Sequence, residues 1–176
     1  MIFEKTVVND ALVIELDKKE DERGFFARTF CENELREAGV SFRPVQANLS
    51  YNKNRYTLRG MHYQEAPYEE AKIIRCNRGA IYDVILDLRK DSSTLHNWFG
   101  IELNDKNRRS LYVPKGFAHG FLTLEDDTEV NYMMSEYYKP GAGMGIRWDD
   151  PFFNIDWPNK PDIISQKDRQ WPYSEE

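Results

Sequence analysis

Cysteine is almost absent from the sequence. Cys31 and Cys76 are the only two, too few for a disulfide framework and without metal-type spacing, so both read as reduced thiols of a cytosolic chain. Long apolar runs are missing as well: no stretch approaches the roughly 20 residues needed to cross a bilayer. Met1 to Lys5 contains an acid and enters a strand-like run directly, which excludes a signal peptide and makes the expected location cytoplasmic, with no membrane partner. Positive charge is in the minority. Against 30 Asp and Glu stand 24 Lys and Arg, a net charge of −6, which argues against a nucleic-acid partner. Arg23, Arg28, Arg59, Lys72 and Lys115 nevertheless sit near apolar segments. Such local cations suit a small anionic ligand, or else are solvated charges at strand edges.

Helix signals are scarce and strand signals abundant. The 14% aromatic content, with only 10 Gly and 8 Pro in 176 residues, suits aromatic-rich β structure. Short apolar runs predict strands over 11–16, 25–30, 45–51, 58–63, 72–76, 80–88, 98–103, 110–113, 120–124 and 129–135. A single helix is expected, capped by Asn33, formed by residues 34–38 and ended by Gly39. Many strands with one or two short helices predict an all-β, double-sheet jelly roll or cupin-type barrel. Residues 1–176 read as one domain, with the tail from about 158 wrapping the surface in short turns or a small helix. Turns are expected at Asp21-Glu22-Arg23-Gly24, which delivers an arginine to an aromatic strand, and at Tyr138-Lys139-Pro140-Gly141. A tight loop is expected over 114–120, ending in a histidine.

Only three histidines exist. His96, in a polar loop after Ser92-Ser93-Thr94, is expected at the surface. His62 lies in Leu58-Arg59-Gly60-Met61-His62-Tyr63-Gln64. Strand alternation there groups Leu58, Gly60, His62 and Gln64 on one face and sends Arg59 to the other unless a bulge intervenes. Taken alone, His62 and His119 are more often hydrogen-bonded core residues than catalysts. Pro114-x-Gly116-x-x-His119 matches the second motif of metal-binding cupins, but their first motif, a His-x-His pair with a downstream Glu, is replaced by His62-Tyr63-Gln64 followed by Lys72. An ammonium repels a metal ion, so no metal is expected.

Ordered motifs along nearly the whole chain carry a closer likeness. They include Asp21-Glu22-Arg23-Gly24-Phe25-Phe26, Gln46-Ala47-Asn48-Leu49-Ser50, the segment around His62, Lys72, Asp83-Val84 and Asp87-Leu88-Arg89. They continue through the 114–121 segment, Tyr137-Tyr138-x-Pro140, Ile146-Arg147-Trp148-Asp149-Asp150-Pro151, Trp157-Pro158 and Ser165-x-Lys167-Asp168. From about Ile2 to Asp168 the chain resembles the dTDP-4-dehydrorhamnose 3,5-epimerase family.

The resemblance implies a cofactor-independent isomerase that inverts carbons 3 and 5 of a nucleotide-diphosphate 4-keto sugar for deoxysugar and surface-polysaccharide synthesis. It implies His62 as general base, paired with Asp168, and Tyr132 as general acid. It further implies Lys72 beside the developing enolate, His119 on sugar or diphosphate, and Asp83 in support of His62. Arg59 and Arg23 would grip the diphosphate, with the Arg23 segment reaching the neighbouring site of a homodimer. Gln46, Asn48 and Lys167 would add polar contacts, and Tyr138 and Phe26 would sandwich the base. The chemistry makes such a set necessary. A hydrogen beside a ketone is acidic only because the anion delocalises onto oxygen, so base, acid and oxyanion stabiliser must converge on one ring.

Three positions depart from the family pattern: Arg28 where Glu is common, Ala47 where Asp is usual, and Gly143 where Glu is normal. Arginine has no acceptor for a thymine N–H, so a CDP- or GDP-linked substrate is an alternative to dTDP. Other readings stay open at this level: inversion at one centre only, a 3,4-ketoisomerase, or a non-catalytic sugar-nucleotide-binding cupin.

Overall fold

The computed structural model describes residues 1–174. The chain opens with β1 (Ile2–Lys5), β2 (Leu12–Glu15), β3 (Lys19–Asp21) and β4 (Gly24–Phe26), then the helix α1 (Glu32–Glu37). The long strands follow: β5 (Gln46–Asn52), β6 (Thr57–Gln64), β7 (Lys72–Arg78), β8 (Ala80–Asp87) and β9 (Trp98–Asn104). After them come β10 (Ser110–Val113), β11 (Phe117–Thr123), β12 (Thr128–Met134) and β13 (Gly143–Gly145). The tail holds β14 (Ile163–Ile164) and α2 (Gln166–Arg169).

Two sheets face each other as a jelly roll of the cupin type. The first has the order β1-β2-β10-β7-β12-β5, the second β13-β6-β11-β8-β9, with β14 parallel to β6 on the same edge as β13. Between the sheets lies a core in which Val13, Ile74 and Leu111 of the first sheet meet Ile81, Ile85 and Phe121 of the second. The outer faces are also covered. α1 brings Leu35 onto Ile14, Ile73 and Tyr112, and Phe153 with Trp157 cover Val84 and Leu86. A strand buried on both faces reads as a continuous apolar run rather than an alternating one, which is why 80–88 stands out in the sequence.

Several expected elements shift. The helix begins at Glu32 with Cys31 as its N-cap and no side-chain cap bond, so Asn33 lies inside the first turn. Its other end is as expected: Gly39 takes φ +84°, and Val40 N–H donates to the Leu35 carbonyl, the closing bond of a Schellman turn. The strand expected over 25–30 is only Gly24–Phe26, because it pairs solely with β3 in a detached hairpin. The expected 114–120 loop is shorter than its Pro/Gly punctuation suggests. Phe117, Ala118 and His119 find a full-length partner in β8 and are strand residues.

Candidate active site

A cavity of about 800 Å³ opens between the two sheets. Alternation fixes what faces it. On β5, Gln46, Asn48 and Ser50 point inward, and on β12 Tyr132 and Met134 do so. Lys72 of β7 enters from the same sheet, with Glu70 just before it. The second sheet supplies His62 and Arg59 from β6 and His119 and Phe121 from β11. Simple alternation cannot put Arg59 and His62 on one face, three residues apart. The β6–β11 register does: His119 pairs with His62 but Phe121 pairs with Arg59, so Gly60 and Met61 oppose the single residue Gly120. This bulge turns Arg59 toward the cavity and Met61 into the outer core. Gly60 is obligatory there, with φ +129° and a hypothetical Cβ 2.5 Å from Gly120 Cα.

His62 and Asp168 form a close pair, Nε2 to Oδ1 at 2.6 Å. Asp168 is buried, and burial alone would push its carboxyl up. The hydrogen bond and charge of His62, with smaller help from Ser165 and Gly60 N–H, more than offset this and hold it below the usual value. An ionised carboxylate can only accept, so Nε2 carries the hydrogen and the neutral imidazole keeps its lone pair on Nδ1. His62 is half-exposed and borders the cavity.

Tyr132 stands on the opposite sheet. Burial raises the pKa of its phenol, against a smaller lowering by Arg59, so it is a protonated donor at neutral pH. Lys72 Nζ lies 3.0 Å from Glu70 Oε1 and 3.5 Å from the His62 carbonyl, with both side chains buried. Arg59 is held by Asn52 Oδ1 at 2.7 Å and the Tyr51 carbonyl at 3.3 Å. The cavity thus gathers an imidazole paired with a carboxylate, a phenol, a buried ammonium and a guanidinium.

A family model described as dTDP-4-dehydrorhamnose 3,5-epimerase matches residues 5–176. The chain belongs to this family. A dTDP-4-dehydrorhamnose 3,5-epimerase of Methanothermobacter thermautotrophicus is 47% identical, over 96% of this chain and 92% of its own. The crystal structure of the Bacillus anthracis dTDP-4-dehydrorhamnose 3,5-epimerase, with TDP and PPi bound, superposes with a TM-score of 0.94 at 43% identity, covering 98% and 99% of the two chains. A 3′-monoepimerase from Streptomyces bikiniensis in complex with dTDP-quinovose is also similar, at 30% identity and a TM-score of 0.87 over 96% of this chain and 85% of that one. The protein is therefore a carbohydrate epimerase of the dTDP-sugar type.

Of the residues singled out in this epimerase's sequence, most converge. His62, Tyr132, Asp168, Gln46, Asn48, Arg59, Lys72, His119, Tyr138 and Lys167 all border the cavity. Two expectations need correction. Asp83 does not support His62: its Oδ1 binds His119 Nε2 at 2.7 Å, because both residues point inward from the adjacent strands β8 and β11. Arg28 does not line this chain's cavity. Its guanidinium pairs with Glu34 on α1, and Ala47 faces away from Gln46 and Asn48, as strand parity requires. Only Gly143, of the three departures from the family pattern, borders the cavity. Arg23 pairs with Asp21 on the detached hairpin, and Phe26 is 77% exposed there. Glu70, Ser50 and Met134 line the cavity without having been singled out. For Glu70 a signal existed, since it shares the inward parity of Lys72.

Proposed function

We propose that the chain inverts carbons 3 and 5 of a dTDP-linked 4-keto-6-deoxyhexose, with His62 as base and Tyr132 as acid. The observation carrying this reading is the His62–Asp168 pair on one wall of the cavity with a protonated Tyr132 on the other. His62 Nδ1 takes the hydrogen beside the ketone, and the C–H electron pair moves onto the ketone oxygen as an enolate. The Lys72 ammonium stabilises that oxyanion. Tyr132 O–H then delivers a proton to the opposite face of the same carbon, the enolate collapses to the ketone, and solvent resets both groups.

Arg59 supports binding of the diphosphate, since its free N–H groups suit phosphate oxygens. His119, held by Asp83, would contact sugar or diphosphate. The detached β3–β4 hairpin supports a homodimer in which Arg23 and Phe26 complete the neighbouring site. Residues 1–176 are read as one such domain. The unpaired thiols of Cys31 and Cys76 support a cytoplasmic setting; no described helix is long and apolar enough to cross a membrane.

Incubation with dTDP-4-keto-6-deoxyglucose in heavy water tests the reading. Deuterium at two ring positions is expected. Deuterium at one position would favour single-centre inversion, the second reading, which the similarity to the Streptomyces bikiniensis monoepimerase keeps open. Faster turnover of CDP- or GDP-linked sugars would overturn the dTDP assignment.

A further inference from the structure

Asp168 reaches His62 from an element too small to hold itself. α2 is four residues long, and a single helical turn is not stable in water on its own. The Ser165 hydroxyl accepts the Asp168 N–H at 3.0 Å, which closes the turn but does not say where the turn sits. Its position must come from tertiary anchors on either side. Upstream, Ile163 and Ile164 pair in parallel with Thr57 and Leu58 of β6. Downstream, Trp171 packs against Gly145: a Cβ placed on Gly145 would fall 2.2 Å from indole Cε2 and Nε1. The indole therefore occupies the space that any other residue's side chain would need.

The site of this contact matters. Gly145 is the direct cross-strand partner of His62 in the β13–β6 pair, so the indole is seated beside the strand position that carries the base. Arg147 Nη1 donates to the Arg169 carbonyl at 2.8 Å, and Lys167 Nζ lies 5.4 Å from the indole centroid. Neither Gly145 nor Trp171 borders the cavity.

We propose that Trp171 is a positioning residue for Asp168, locked by the bare Cα of Gly145, and that this lock sets the His62–Asp168 distance. The proposal rests on the epimerase reading for its kinetic consequence and on geometry alone for the lock. Trp171→Ala is expected to lower kcat on the order of tenfold to hundredfold, the scale of a misplaced catalytic group, with KM changed much less because the indole itself does not border the cavity. Trp171→Ala combined with Asp168→Asn should be no slower than Asp168→Asn alone, since both act through one carboxylate. A raised KM with unchanged kcat, or losses that multiply, would overturn the proposal.

A second measurement needs no turnover. In protein labelled with 5-fluorotryptophan, the Trp171 resonance, assigned from Trp171→Phe, should move in Gly145→Ala as the new methyl displaces the indole. An unmoved resonance overturns the lock. A wild-type chain that incorporates no deuterium from solvent overturns the epimerase reading instead.

Discussion

His62 lies directly opposite His119 across the β6–β11 pair, yet each imidazole gives its Nε2 to a different buried aspartate. The His62 partner, Asp168, arrives from the tail; the His119 partner, Asp83, is a neighbour within the sheet. The two dyads should separate experimentally. Asp168→Asn replaces an acceptor-only carboxylate with an amide, removing the charge that stabilises the imidazolium. It should slow deuterium exchange by about 10²-fold or more, within the range of acid–base catalysis. Asp83→Ala instead leaves a buried His119 nitrogen without a partner and should cost stability, about 1 to 3 kcal/mol, read from urea unfolding. Equal effects of both variants on exchange at unchanged stability would contradict this division.

Lys72 and Glu70 form a buried ion pair inside the cavity, and the second Glu70 oxygen has no partner among the described residues. Replacing Lys72 alone strands a buried carboxylate, so Lys72→Met should destabilise by about 3 to 5 kcal/mol. Glu70→Leu with Lys72→Met removes both charges, and much of the stability should return. Activity should not return, because the ammonium proposed to stabilise the enolate is gone. Unfolding midpoints and exchange rates measured on the same samples check both halves. Recovery of exchange in the double variant would remove Lys72 from the oxyanion role.

The bulge at Gly60 gives the next expectation. A methyl at Gly60 would stand 2.5 Å from Gly120 Cα and 2.9 Å from the His119 carbonyl, on a backbone at φ +129°. Both obstacles are main chain and cannot swing aside. Gly60→Ala should therefore cost about 3 kcal/mol or more. Exchange should fall further than the loss of folded protein explains, because the bulge sets Arg59 and His62 on one wall. Calorimetry and exchange normalised to folded fraction check this.

That bulge also shows where the sequence stops being legible. The long strand β8 and the two-sheet class were readable because both-sided burial leaves a dense apolar run, whereas β11 was read only from Gly120 onward. The short strands were not: Gly143–Gly145 and Ile163–Ile164 exist only because β6 offers a free edge, and two or three residues carry no period. Arg59 was assignable to the cavity only by family likeness, since alternation sends it outward. Asp83 shows the opposite failure. The family likeness put it beside His62, but which histidine it meets depends on the neighbouring strand, which no local pattern specifies.

Acid stability should report on Asp87. Burial pushes its carboxyl up, but hydrogen bonds from Arg89, Ser92 and Thr94 more than offset this and bring it down to about 2. A carboxyl depressed in the folded state stabilises the fold fully above the unfolded value near 3.9, and that stability is lost as pH falls toward 2. The contribution at neutral pH is about 2 to 3 kcal/mol. Asp87→Asn should lower stability at pH 7 and flatten its decline between about pH 4 and pH 2. An Asp87→Asn protein that keeps the wild-type slope there would assign the acid transition to other groups.

The hairpin bearing Arg23 and Phe26 makes its prediction at the level of subunits. Among the described residues its strands pair only with each other, and Phe26 is exposed, an arrangement that leaves apolar surface bare unless a second chain covers it. If the hairpin completes a neighbour's site, Arg23→Ala and His62→Asn damage the same site when carried on different chains. In a mixed dimer, one site receives both lesions and the other receives none. Unfolding and refolding an equal mixture of the two inactive variants makes about half the dimers mixed, so about a quarter of wild-type activity should return. If Arg23 serves its own chain's cavity, every site in the mixture carries one lesion and nothing returns. Exchange rates before and after refolding distinguish the two outcomes without any further structure.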